Sequence, residues 1–225
     1  MINSNFKKQI INEDIIIIEN FYENPEEIVK LAYENENNFE THESIYRNKV
    51  FNPKFYFNNS PELINFFEKV LCKKIYQDEW NLGVDDFSNG WIQFNKSDLK
   101  PLIHSDNMES LKTNWGGVVF FTDNENSGTG FYEHLATGLK KRPEDKYLLT
   151  LKNEKLEELL SYIKNDANET QESKKFKMYY NCPSVYNRLV LFNAALFHCG
   201  LNSYGDNVKN SRLFQTFFIR AVDNL

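Results

Sequence analysis

The sequence predicts a mainly β chain with added helix, built as a jelly-roll-like barrel behind an N-terminal helical layer. Three observations lead there. From Trp80 onward, short apolar runs alternate with clusters of turn residues, the texture of many short strands. Before that point, two helix starts stand ahead of apolar residues at helical spacing. Phe and Tyr, with 19 and 12 copies among 225 residues, dominate an aromatic content of 15% that suits a large β-rich interior. A two-layer α+β sandwich is the runner-up.

Taken in order, Asp14 to Glu19 is β-branched and continuous, as a strand buried on both faces requires. Asn24-Pro25-Glu26-Glu27 then starts a helix, with Asn24 to cap, Pro25 at the first helical position and Glu27 to reach back. A polar stretch from Glu34 to Glu43 reads as a loop. Ser60-Pro61 opens a second helix whose Leu63, Phe66, Phe67, Val70 and Leu71 recur at helical spacing, so it packs against something large. Strands follow at 91–95, 102–106, 115–121 and 129–134, and the turn residues 122–128 separate the last two. An amphipathic helix is expected over about 152–164, carried by Leu156, Leu159, Leu160 and Ile163. The polar run 165–175 reads as a loop able to act as a lid. Strands resume at 188–192, 196–201 and 212–220. No internal repeat or linker breaks the chain, so one domain over residues 1–225 is expected. Residues 1–80 would form its N-terminal strand and supporting helices. Residues 91–220 would form the barrel, with a helical and loop insertion at about 150–178.

Composition excludes several functions. The net charge of −6 gives no general attraction for nucleic acid or an anionic membrane. The basic clusters Lys140-Lys141-Arg142 and Lys174-Lys175 are flanked by acids and read as solvated faces. Cys72, Cys182 and Cys199 are too few and too scattered for a disulfide framework, and no CxxC pair offers a zinc knuckle. An odd cysteine count, with no apolar leader in Met1 to Lys8, sets the expectation of a cytoplasmic protein. The four apolar residues 15–18 are far short of a membrane span.

The chemistry gathers in two stretches. Side chains two apart on a strand share a face, so His104 and Asp106 present an imidazole and a carboxylate together while Ser105 points away. A second imidazole from His198 completes a two-His, one-carboxylate set. Such a set occupies one face of a metal ion and leaves the other open, the pattern of non-haem Fe(II) oxygenases. An HxD triplet alone is weak evidence, and each of these residues has a plainer reading as a surface pair or a hydrogen-bonded core histidine. Order strengthens it. A strand with Trp91, Gln93 and Asn95 on one face enters the triplet. Gly116-Gly117 and Gly128-Thr129-Gly130 lie between the candidate ligands, and Arg212 opens a strand fourteen residues after His198.

The order His104-x-Asp106, Gly128-Thr129-Gly130, Leu191-Phe192, His198 and Arg212 resembles the Fe(II)/2-oxoglutarate-dependent oxygenases, nearest their prolyl-4-hydroxylase-like branch, over residues 91–220. The resemblance implies a double-stranded β-helix in which His104, Asp106 and His198 bind Fe(II) and Arg212 pairs with the distal carboxylate of 2-oxoglutarate. It implies a dioxygenase that hydroxylates a C–H bond with release of succinate and CO2, ascorbate serving as a stimulant. Asp106 in the carboxylate position favours hydroxylation over halogenation. The residues fit that chemistry independently. Three protein ligands leave three octahedral positions for a chelating 2-oxo acid and O2. The free carboxylate of that acid wants a planar, permanently charged partner, which Arg supplies better than Lys. Gln93 and Thr216 are further candidates for a hydrogen bond to the co-substrate.

Other picks read more plainly. His134 is equally a pocket residue or a structural hydrogen bonder, and His42 a surface residue. Cys199 should face away from His198, and Trp115 and Tyr132 line either the pocket or the core. Two rival functions stay open: a cupin-like metalloenzyme using the same three residues without 2-oxoglutarate, and a jelly-roll binding module. A small molecule, an amino acid or a peptide side chain all fit as substrate.

Overall fold

The computed structural model describes residues 1–41, 49–51, 60–76, 90–106, 114–143 and 169–223. The chain begins with a hairpin of β1 (Lys7–Asn12) and β2 (Ile15–Glu19), then α1 (Pro25–Glu34), β3 (Glu40–Thr41), β4 (Lys49–Phe51), α2 (Pro61–Leu71) and β5 (Lys74–Ile75). The second half is almost all strand: β6 (Trp91–Asn95), β7 (Trp115–Phe120), β8 (Asn124–His134), β9 (Phe176–Ser184), β10 (Arg188–Asn193), β11 (His198–Leu201), β12 (Arg212–Ile219) and β13 (Ala221–Val222). Among the described residues no helix is long and apolar enough to cross a membrane.

Two sheets face each other. The larger runs β1-β2-β10-β7-β12-β6-β4-β3 and the smaller β11-β8-β9. The smaller sheet is extended by single bridges, His104 beside His198 and then Leu102 beside Thr170. The chain thus crosses between the sheets from β7 to β8, β9 to β10, β10 to β11 and β11 to β12, as in a double-stranded β-helix.

Strand alternation divides the core. On β12, Leu213, Phe217 and Ile219 pack against the helices with Ile16 and Ile18 of β2. Phe214 instead packs inside the barrel with Ile15, Ile17, Phe120, Phe131, Val190 and Phe192. This is why residues 15–18 read as continuously apolar: each face of β2 is buried in a different layer. Phe21, Phe66 and Phe67 join α2 to Phe217 through ring contacts of 5.1–6.3 Å.

The structure amends several local expectations. Asn24 makes no side-chain cap on α1, although Pro25 does begin it. Ser60 does cap α2, its Oγ accepting from Leu63 N at 3.4 Å. Residues 102–106 are not a continuous strand; they join their neighbours through two single bridges and the Asp106 N–H bond to Ala194 O. β8 begins at Asn124, inside the expected turn, and absorbs the irregularity with a register shift between Asn124 and Gly128. Gly128 has φ +134°, and a Cβ there would stand 2.1 Å from Cys182 O, so only glycine serves. The polar stretch after α1 holds a short 3-10 turn and β3 rather than loop alone.

The expected helix at 152–164, His42 and residues 165–168 lie outside the described residues. The remainder of the proposed lid, 169–175, is fastened. Ile103 N donates to Glu169 O at 2.7 Å, and Gln171 Nε2 donates to Asn202 Oδ1 at 2.9 Å.

Candidate metal centre

His104 and His198 sit directly opposite each other, each N–H donating to the other's carbonyl at 2.8 Å. Opposed residues on antiparallel segments share a face, so the two rings lie together with centroids 4.3 Å apart. Asp106 is held by a different contact, its N–H donating to Ala194 O at 2.8 Å. That carbonyl is positioned by a turn at Asn193. There Asn193 Oδ1 accepts from Ala195 N at 3.0 Å, and Asn193 Nδ2 donates to Asp14 Oδ1 at 2.9 Å. Lys141, expected on a solvated face, is instead paired with Asp14 at 2.6 Å.

Both imidazoles are oriented in the same way. Nδ1 of His104 lies 2.8 Å from Leu102 O, and Nδ1 of His198 lies 2.8 Å from Leu196 O. A carbonyl only accepts, so each Nδ1 carries hydrogen and each neutral ring turns its Nε2 lone pair inward. Those Nε2 atoms stand 3.4 and 3.3 Å from the two oxygens of Asp106. The three donor atoms all lie within 4.8 Å of one another, a spacing able to hold one metal ion. Side-chain exposures of 25, 15 and 7% for His104, Asp106 and His198 place the opening on the His104 side.

The electrostatics follow from this packing. Burial opposes ionisation of Asp106, but His198 and His104 outweigh it and hold the carboxyl well below the usual range. For His104, burial favours the neutral ring, yet Asp106 and the Leu102 carbonyl raise its pKa overall. Gly116 makes room for the carboxylate. A Cβ there would stand 3.4 Å from Asp106 Oδ2 and 2.8 Å from the Phe192 ring.

Arg212 opens β12 and points into the same interior, only 3% exposed. Its guanidinium stacks on Phe214 at 4.4 Å and lies 5.5 Å from the Phe120 ring. Nη1 is 2.8 Å from where a Gly200 Cβ would be, so the guanidinium crosses to β11 through the space glycine leaves. No carboxylate pairs with it among the described residues, and its Nε has no hydrogen-bond partner there. Burial pushes its pKa down to about 10, with Tyr204 and Cys199 partly opposing, so it remains charged at neutral pH. A buried, charged guanidinium is costly unless an anion joins it. His198 and Gly200 share one face of β11, about 6.6 Å apart at ordinary strand rise.

Gln93 and Thr216 lie on the same interior face and bond to each other, Nε2 to Oγ1 at 2.8 Å. Thr216 stands four residues beyond Arg212 on β12, about 13 Å along the strand. Asn95, opposite Arg212 in the ladder, shares the face that alternation predicts for Trp91 and Gln93, but nothing in the sequence marks it as a site residue. Cys199 faces the other side, its Sγ 3.4 Å from Tyr132 Oη, and Tyr132 packs there with Phe176 and Phe197. His134 ends β8, its Nδ1 3.0 Å from Thr137 Oγ1 of the turn that follows, and Trp115 packs on the helical side.

Among solved structures, the chain is similar to HygX from Streptomyces hygroscopicus, crystallised with nickel and 2-oxoglutarate bound. The TM-score is 0.52 at 11% identity, covering 92% of this chain and 82% of that one. It is also similar to a prolyl 4-hydroxylase structure from Phytophthora capsici, with a TM-score of 0.45 at 13% identity, covering 93% of this chain and 59% of that one. The likeness to HygX is one of fold and bears out the double-stranded β-helix. Comparison with curated proteins gives no match. A family model does match residues 5–219, nearly the whole chain, and the chain therefore belongs to that family of unknown function, DUF6445.

Proposed function

We propose that this chain is an Fe(II)- and 2-oxoglutarate-dependent dioxygenase that hydroxylates a C–H bond of a small molecule, amino acid or peptide. The observation that carries the reading is Arg212: a buried cation with no carboxylate partner among the described residues, reaching Gly200, two strand positions from His198 of a two-His, one-carboxylate set. The donor set fits the metal, since both Nε2 lone pairs and the Asp106 carboxylate converge and one face stays open. The span from His198 to Gly200 fits a five-carbon 2-oxo diacid, chelating at one end and anionic at the other. HygX, similar in fold, holds nickel and 2-oxoglutarate, which adds support.

Bound Fe(II) and 2-oxoglutarate supply O2 activation, and the balance is R–H + 2-oxoglutarate + O2 giving R–OH + succinate + CO2. The chain's own residues do the rest. His104 and His198 stay in one tautomer through the Leu102 and Leu196 carbonyls, so neither must reorient to ligate. Asp106 stays ionised throughout the neutral range and cancels one charge of a divalent ion. Arg212 fixes the far carboxylate, which orients the chelating end. The aromatic walls of Phe120 and Phe214 keep water from the guanidinium and strengthen that pairing. The free thiols of Cys72, Cys182 and Cys199 fit a reducing, cytoplasmic setting.

The test is anaerobic addition of Fe(II) and 2-oxoglutarate, which should produce the visible band of the chelate. Succinate should then form on admitting O2 with ascorbate present. A parent protein that shows neither result sinks the assignment. The cupin-like reading without 2-oxoglutarate predicts that Arg212→Ala changes nothing; ours predicts loss of the band.

A further inference from the structure

Two buried polar residues stand opposite each other across one ladder, and each has a side-chain atom without a partner among the described residues. Arg212 is in register with Asn95 of β6, so their side chains leave the sheet on the same face at neighbouring positions. Asn95 is 2% exposed and Arg212 is 3% exposed. The orphaned atoms are Asn95 Oδ1, which can only accept, and Arg212 Nε, which can only donate. Most buried polar atoms find partners, so a complementary pair of orphans side by side is informative.

Arginine offers a carboxylate two edges: the Nε–Nη side, or the end made by its two Nη groups. The choice decides where the carboxylate sits. In this chain the guanidinium lies on Phe214 with Nη1 against Gly200, and Asn95 is the residue beside Arg212 across the β6–β12 ladder.

We propose that Asn95 is the positioning residue for Arg212: on co-substrate binding its Oδ1 accepts the Nε hydrogen and leaves the paired Nη groups as the edge that receives the distal carboxylate. This rests on the 2-oxoglutarate reading above and adds the specificity device to it. Without Asn95 the guanidinium presents either edge, and the preference for a diacid over a mono-acid weakens.

The experiment compares anaerobic binding of 2-oxoglutarate and 2-oxobutyrate, which has no distal carboxylate, to Fe(II)-loaded protein. The parent should prefer 2-oxoglutarate. Asn95→Leu, similar in size, should lower 2-oxoglutarate affinity about tenfold, the worth of one such bond, and leave 2-oxobutyrate and metal affinity unchanged. Asn95→Asp, which would neutralise Arg212 from within, should abolish the preference altogether. Equal weakening of both acids by Asn95→Leu would mean a merely structural role and would overturn the proposal. So would an undiminished preference in either variant. A parent with no preference, or no chelate band, overturns the function reading as well, and so the two failures are distinguishable.

Discussion

At the scale of single residues, the energetics centre on Arg212. Its pKa, down from 12.5 to about 10, corresponds to a penalty on the order of 3 kcal/mol for keeping the charge buried. Arg212→Leu should therefore leave the unliganded protein as stable or more stable by about 1–2 kcal/mol while reducing 2-oxoglutarate affinity at least about a hundredfold. Chemical denaturation and the anaerobic chelate band check the two halves. His104 carries the pH dependence. Its folded pKa lies above 6.5, so in metal-free protein the charged ring beside Asp106 stabilises the fold below that pH, and the contribution is lost as pH rises through the raised value. Metal needs the neutral ring, so affinity runs the opposite way, climbing with pH to a plateau above the raised pKa. Titrations with Ni(II) from about pH 6 to 9 should show it. Sequence made His104, Asp106, His198 and Arg212 legible because their types and order are distinctive. It could not show Asn95 as the ladder neighbour of Arg212, since the register that brings them together is set by pairing between distant strands.

At the scale of elements, two glycines shape the site by what they lack. Gly200→Ala should put a Cβ 2.8 Å from Arg212 Nη1 and weaken 2-oxoglutarate binding about tenfold or more, with metal affinity preserved. Gly116→Ala meets the Phe192 ring at 2.8 Å and crowds Asp106, so its loss should fall on metal affinity instead. Calorimetric titration of metal and co-substrate separates the pair. Neither role was legible, because a glycine in a strand signals close approach without naming what approaches. β1 escaped sequence reading for a different reason. Its Lys7–Asn12 run is exposed along an edge and so carries no apolar period. Residues 102–106 read as a strand, and the alternation argument still puts His104 and Asp106 together, because their backbone N–H groups are held by His198 and Ala194.

At the scale of the molecule, the helical layer supports the sheet that carries Arg212. Phe67 is fully buried between Phe66 and Phe217, and Tyr22 Oη donates to Gln215 Oε1 at 2.6 Å on the same side. Phe67→Ala should cost about 3–5 kcal/mol of stability by opening a cavity. Protein that remains folded should bind metal normally, since the layer lies behind the sheet and not at the site. Unfolding curves with a metal titration on the folded fraction check both statements. The fold class was legible from the change of texture near residue 80 and the double burial of β2. The crossing of strands between two sheets was not, because apolar patterning marks faces and not partners.

The sparse backbone pairing of residues 102–106 has a consequence for how metal comes and goes. Two of the three donors ride on a segment fixed to its neighbours by a handful of main-chain bonds, while the third belongs to β11. An ion there would act as a clasp across the open edge of the smaller sheet, and the segment's local opening would set its dwell time. Amide exchange at Ile103, His104 and Asp106 should slow when metal is added, and the metal off-rate should track the residual exchange rate rather than ligand chemistry alone.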